Sequence, residues 1–199
     1  MIFALLSLAL AAIPEGLRPA AAPFDAPARY QAEFPGKSPL ACAPLLPKQA
    51  LLCFRVWEGG RRRWVTERDL ARWRTDLDGL VAGVKSGAEE VLKTEPGRVS
   101  VVDFDGHYFE LRDGDGWAAA PLLRPDLLAS KLGQGSFRVA IPRAGVFLAW
   151  PTGSADLDKI MAVAVRELYE SGQDAVTPMV FRAEGEGFVA FGQAKATGG

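Results

Sequence analysis

The densest run of groups able to do chemistry is Arg61-Arg62-Arg63, with Arg55, Arg68, Arg72 and Arg74 nearby and Trp57, Trp64 and Trp73 interleaved. Guanidinium groups beside indole rings suit a phosphate, an acidic glycan or another anionic partner, because the cation meets the charge and the ring offers a stacking platform. Arg61, Arg62, Arg63, Trp64 and Trp117 are the candidate binding residues on this reading. The same arginines would also make a plain solvated hairpin tip and helix face. A net charge of −1 favours that plainer account and makes nucleic acid an unsuitable partner, since it supplies no global pull toward a polyanion.

Three other groupings are weaker. Asp103-x-Asp105-x-His107 contains the only histidine, but Asp105-Gly106 is a strong two-residue turn signal. That turn pairs Phe104 with His107 and Asp103 with Tyr108, and strand alternation then sends Asp103 and His107 to opposite faces. Asp113-Gly-Asp115-Gly-Trp117 has carboxylates for a calcium loop but lacks the closing Glu and the regular oxygen spacing such a loop needs. Gly and Asp are also what a tight turn takes, and Trp117 is the residue that a pocket beside this turn would present. Neither Gly153-Ser154-Ala155 nor Gly135-Ser136 fits a nucleophile elbow. Phosphate-loop and dinucleotide fingerprints are absent, so no cofactor is expected. Paired acids between Asp103 and Trp117 leave a hydrolase-type carboxylate site as the enzymatic alternative.

Cys42 and Cys53 are the only cysteines. Two thiols and one distant imidazole have no metal-ligand spacing, so no metal is expected. Along the strand from Leu51 to Trp57, Leu52, Phe54 and Val56 take one face, and Cys53 takes the other with Arg55. In an exported protein a Cys42–Cys53 disulfide is possible; in the cytosol both would be inert thiols.

The elements that must carry these groups follow from punctuation and periodicity. Leu51–Trp57 and Arg62–Thr66 form a hairpin around Gly59-Gly60, and Val99–Phe104 with His107–Arg112 form another. Thr66 with Asp69, and Thr75 with Asp78, are capping-box patterns opening two helices. Gly79, Gly83 and Gly87 line the second helix every fourth residue and would permit close packing. A further helix is expected over about Ala118–Leu132, broken into turns by Pro121 and Pro125. Phe137–Pro142 and Val146–Trp150 make a hairpin, and Ser154 caps a helix whose apolar stripe runs Leu157, Ile160, Met161, Ala164, Val165 and Leu168, with Gly172 as its stop. Thr177–Arg182 and Phe188–Gln193 close the chain. Hairpin and helix alternate three times before a last hairpin, which predicts an α+β fold with one antiparallel sheet and helices packed on it.

With 49% hydrophobic and 24% charged residues over 199 positions, the composition is that of a globular domain. Residues 1–12 are uncharged and apolar, too short to span a bilayer, and Ala9-Leu10-Ala11 matches a signal-peptidase site. They are read as a signal peptide that lacks only the usual positive start, leaving no membrane span once removed. Residues 13–49 carry Pro14, Pro19, Pro23, Pro27, Pro35, Pro39, Pro44 and Pro47 and are read as an extended leader, because proline opposes regular helix and central strand. The folded domain is then residues 50–196.

From about Ala50 to Lys195 the chain resembles the C-terminal half of the YtpQ-like proteins, a bacterial family of unknown function. The matching features are Leu52–Val56, Trp64–Thr66, His107–Phe109, Asp115–Trp117 leading into Leu122-Leu123, Val139–Pro142, Val146–Ala149, Asp156–Leu168 and Thr177–Phe181. These are core and turn positions, so the resemblance implies a fold and brings no catalytic residues. Ala118-Ala119-Ala120 replaces polar positions expected after Asp115–Trp117. The expected function is an exported, periplasmic or secreted, non-enzymatic binding module of the bacterial cell envelope, whose partner is an envelope protein or anionic polymer. The alternatives are the hydrolase-type enzyme and a cytosolic domain with residues 1–49 as an appendage.

Overall fold

The computed structural model describes residues 14, 16–93, 99–103, 107–112, 117–133, 135–185 and 187–194, with backbone alone for 99–103 and 107. The signal-like residues 1–12 lie outside the described residues. The proline-rich stretch does not: it supplies β1 (Arg18–Pro23), α1 (Ala26–Glu33) and β2 (Cys42–Leu46). Its prolines sit where chain geometry tolerates them. Pro19, Pro23 and Pro44 are on edge strands, and Pro27 is in the first turn of α1, where no amide is needed for the helix. The expectation of a leader followed by a domain beginning at Ala50 is therefore corrected, and residues 18–46 are integral to the fold.

These elements flank β3 (Ala50–Glu58). β1 pairs antiparallel along one edge of it, while β2 and then β4 (Arg61–Trp64) pair along the other. Leu52, Phe54 and Val56 of β3 enter the core, and Cys53, Arg55 and Trp57 take the opposite face. Cys42 and Cys53 are direct cross-strand partners, 4.1 Å apart at Cα, and their sulfurs are bonded. This bond clips β2, a short edge strand whose pairing is already interrupted by a register shift after Pro44. Closing so short a loop stabilises by roughly 2–3 kcal/mol. Changing both cysteines to serine should lower the thermal midpoint accordingly, whereas an unchanged midpoint would show that β2 needs no covalent tie.

After β4, Thr66 opens α2 (Glu67–Trp73), and α3 (Leu77–Lys93) follows. The cap of α3 is Asp76, whose Oδ1 accepts from Gly79 N–H at 2.8 Å, rather than the Thr75/Asp78 box. Asp76 directly precedes the first helical residue, so its carboxylate reaches the free amides that Thr75 was expected to serve. β5 (Val99–Asp103) and β6 (His107–Arg112) pair with Asp103 opposite His107. The expected Asp103–Tyr108 pairing is thus one residue out, and the strands close around residues 104–106. A 3-10 helix (Trp117–Leu123) and α4 (Pro125–Leu132) divide at Pro125.

β7 (Phe137–Arg143), β8 (Val146–Pro151), α5 (Ala155–Glu170), β9 (Met179–Glu184) and β10 (Gly187–Gln193) complete the chain. The second sheet has order β10-β9-β7-β8-β6-β5, so the α+β fold contains two antiparallel sheets where one was expected. The reason is local. β3 and β4 complete their pairing with β1 and β2, which had been read as a leader, and do not join the later hairpins.

The main core lies among the inner face of the small sheet, α3, the 3-10 helix, α4 and one face of the large sheet. α5 covers the other face through Leu157, Met161 and Val165 against Leu148, Trp150 and Val180. Ile160, expected in that stripe, is 47% exposed. Ser154 accepts from Leu157 N–H at 3.2 Å and caps α5. Gly172 is not a left-handed stop; a side chain there would meet Arg143 Nε at 2.4 Å, so its bare Cα lets Arg143 pass to Asp174.

Candidate functional site

Strand alternation divides the arginine run. In β4, Arg62 and Trp64 share a face, while Arg61 and Arg63 point the other way. The register places Arg62 opposite Trp57 and Trp64 opposite Arg55. Each pair is a cation lying over an indole, with the Arg55 guanidinium 4.1 Å from the Trp64 ring centre and the Arg62 guanidinium 5.2 Å from that of Trp57. This arginine–tryptophan ladder forms the outward face of the small sheet, beside the disulfide. Trp57 remains 45% exposed.

Arg63 is already engaged. It contacts Glu58 at 2.5 Å and forks onto both oxygens of Asp69 at 2.7 and 3.0 Å. Asp69 is 7% exposed and accepts from both the amide and the hydroxyl of Thr66. Arg72 adds a longer contact to Glu58 and Asp69, at 3.5 Å each. Arg63 thus fastens β4 to the start of α2 and is corrected from a binding residue to a structural one. Arg61 is exposed opposite Glu58.

Trp117 needs a larger correction. It is 8% exposed, belongs to the main core, and packs its ring against α3 at Gly87. The alanines after it are buried as well, because the 3-10 helix runs through the middle of the core. Trp117 is a packing residue. The carboxylate reading near it falls mostly on residues 104–106 and 113–116, outside the described residues. Among the described residues, no group of three or more His, Cys, Asp or Glu gathers as a metal site. No described helix is long and apolar enough to cross a membrane.

The ladder gains depth where α1 approaches it. A groove of about 600 Å³ lies between them, lined by Arg55 and Trp64 from the sheet, Tyr30 and Glu33 from α1, Phe34 at its C-terminal cap, and Asp174 from the loop after α5. A neighbouring hollow of about 480 Å³ shares Tyr30, Phe34 and Trp64 and adds Lys37 and Arg68. Arg55 is half-buried and has no hydrogen-bond or ion-pair partner among the described residues. Burial pulls its pKa below the ordinary arginine value, Arg62 adds to that, and the charge of Asp174 opposes it. A second cavity of about 400 Å³ near α4, lined by Lys85 and Arg124, is different in that Arg124 already holds Glu89 at 2.6 Å and Asp126 at 2.8 Å.

Sequence reasoning missed the α1 side of this groove, since a proline-rich leader was assigned no surface. Tyr30 and Phe34, four residues apart with ring centres 5.1 Å from each other, were the available signal for one helical face. The chain matches no family model, no curated protein and no solved structure.

Proposed function

We propose that the protein is an exported, non-enzymatic binding module of the bacterial cell envelope. It holds an anionic envelope polymer on the arginine–tryptophan ladder and the adjoining groove. One observation carries this reading: Arg55 is half-buried on Trp64 with no hydrogen bond or ion pair among the described residues and only the longer-range charge of Asp174 acting on it, whereas Arg63 and Arg124 hold carboxylates directly. A cation held in a partly desolvated place without a direct hydrogen-bonded carboxylate is costly unless an anion completes it. The Cys42–Cys53 bond supports the export part, because structural disulfides persist in oxidising compartments. The apolar, uncharged residues 1–12 support it as well.

The test is sedimentation of the full chain with isolated cell envelopes at low and high salt. Pelleting at low salt, reduced at high salt and in the Arg61→Ala/Arg62→Ala variant, is the expected result. That variant leaves Arg63 in its structural role. Salt-independent pelleting, or none, overturns the polymer reading. Intact-mass measurement of each compartment checks the export part: a full-length, reduced cytosolic species overturns it.

A further inference from the structure

We infer that the groove beneath α1 is a subsite for a sugar-borne carboxylate, and that the anionic polymer is an acidic glycan of the uronate type. This narrows the polymer reading above and rests on it. The Arg55 guanidinium carbon lies over the Trp64 ring, 4.1 Å from its centre. Arg55 makes no hydrogen bond among the described residues, and a planar carboxylate meets the edge of a guanidinium with two parallel hydrogen bonds.

Arg29 in the same lining is already paired with Asp25, so the two carboxylates beside Arg55 decide what carries the incoming one. Glu33 lines the same groove and has no partner among the described residues. Asp174 Oδ1 accepts from Arg143 Nε at 2.7 Å, and the Asp174 charge also acts on Arg55. An anion that brings only acceptors, such as a polyphosphate, would meet these carboxylates as like charges. A uronate brings both kinds of group: its carboxylate goes to Arg55, and its ring hydroxyls donate to Glu33 and Asp174. Tyr30 and Phe34, tilted 49° to one another, offer the apolar wall against which the C–H face of a sugar ring packs.

Size and continuity agree. About 600 Å³ is within the range of sites that take a small ligand, roughly 300–1,000 Å³. The adjoining hollow continues past the same three aromatic residues to Lys37 and Arg68. A second carboxylate, one sugar unit along the strand, would meet those cations.

Calorimetric titration of the full-length protein with an oligogalacturonate tests this, with a neutral oligosaccharide of equal length, polyglutamate and polyphosphate as comparisons. The oligogalacturonate should bind, and the neutral sugar about tenfold or more weaker. Arg55→Ala should lose about tenfold or more, and Arg55→Lys, which keeps the charge but not the fork, should fall between. Tyr30→Ala should also weaken binding with the far-ultraviolet circular dichroism and thermal midpoint unchanged, since α1 has no fully buried residue. Polyglutamate or polyphosphate binding as tightly as the uronate overturns the glycan assignment. Wild-type affinity in Arg55→Ala overturns the site. In either case, envelope pelleting that still depends on salt and on Arg61 and Arg62 leaves the polymer reading standing. Failure to bind any of the polyanions, together with no pelleting, overturns both.

Discussion

Trp117→Ala is expected to cost about 3–5 kcal/mol of folding stability, the usual penalty for deleting a large core aromatic. The ring is 8% exposed and fills the space between the 3-10 helix and α3. Its contact with α3 is so close that a Cβ at Gly87 would lie 2.1 Å from Trp117 Cη2. Gly87→Ala should therefore destabilise by about 1–3 kcal/mol through overpacking, although in an exposed helix it would stabilise by roughly 0.5–1 kcal/mol. In the Trp117→Ala background the clash is gone, and Gly87→Ala should turn neutral or stabilising. Urea unfolding of the four proteins in this cycle measures the coupling. Additive effects would show that the two residues do not constrain each other. A Trp117→Ala protein that unfolds at the wild-type midpoint would return Trp117 to the surface role its place beside a Gly-Asp turn suggested.

Elements whose signals are self-contained were legible in the sequence. Ser154 caps α5 because its hydroxyl needs only the amide of Leu157, three residues on. Thr66 and Asp69 meet for the same reason, and Leu157, Met161 and Val165 of the α5 stripe follow from helical spacing, though Ile160 does not. What failed depended on partners distant in sequence. The strands at Arg18–Pro23 and Cys42–Leu46 form only because β3 offers them both edges, and their prolines masked this. Once those edges are filled, the small sheet is complete, and a single-sheet reading of the later hairpins cannot hold. The Asp103–His107 register turned on loop length, where one residue changes every pairing. Of the candidate site, the arginines and tryptophans were visible. That Arg63 is bound by Asp69 while Arg55 holds no carboxylate directly follows from alternation in β4 and from the path of α2. Gly87 shows the same limit, since helical spacing placed it on α3 but could not tell that it would receive the Trp117 ring.

Asp69 carries the second large effect. Its carboxylate joins three things at once: the fork of Arg63, the amide of Thr66 and the hydroxyl of Thr66. Asp69→Ala should cost about 3 kcal/mol, because it strips a buried ion pair and the opening cap of α2 together, with Glu58 retaining part of the hold on Arg63. The same group sets an acid dependence. Burial alone would raise its pKa, but the hydrogen bonds from Arg63 and then from the Thr66 amide and hydroxyl outweigh burial and hold it below the ordinary aspartate value. A folded-state pKa below the unfolded one means the unfolded chain binds the proton more readily. The stabilisation is therefore complete above the unfolded value, near pH 4, and is lost as pH falls through the lower folded value. Asp69→Asn keeps the size and removes the titration, so its stability should fall less steeply than wild type below about pH 4. Parallel acid limbs for the two proteins would mean that Arg63 and Thr66 do not lower the proton affinity of Asp69. The clamp would then be a surface contact, and β4 with its arginine–tryptophan ladder would be held to the fold by its pairing with β3 alone.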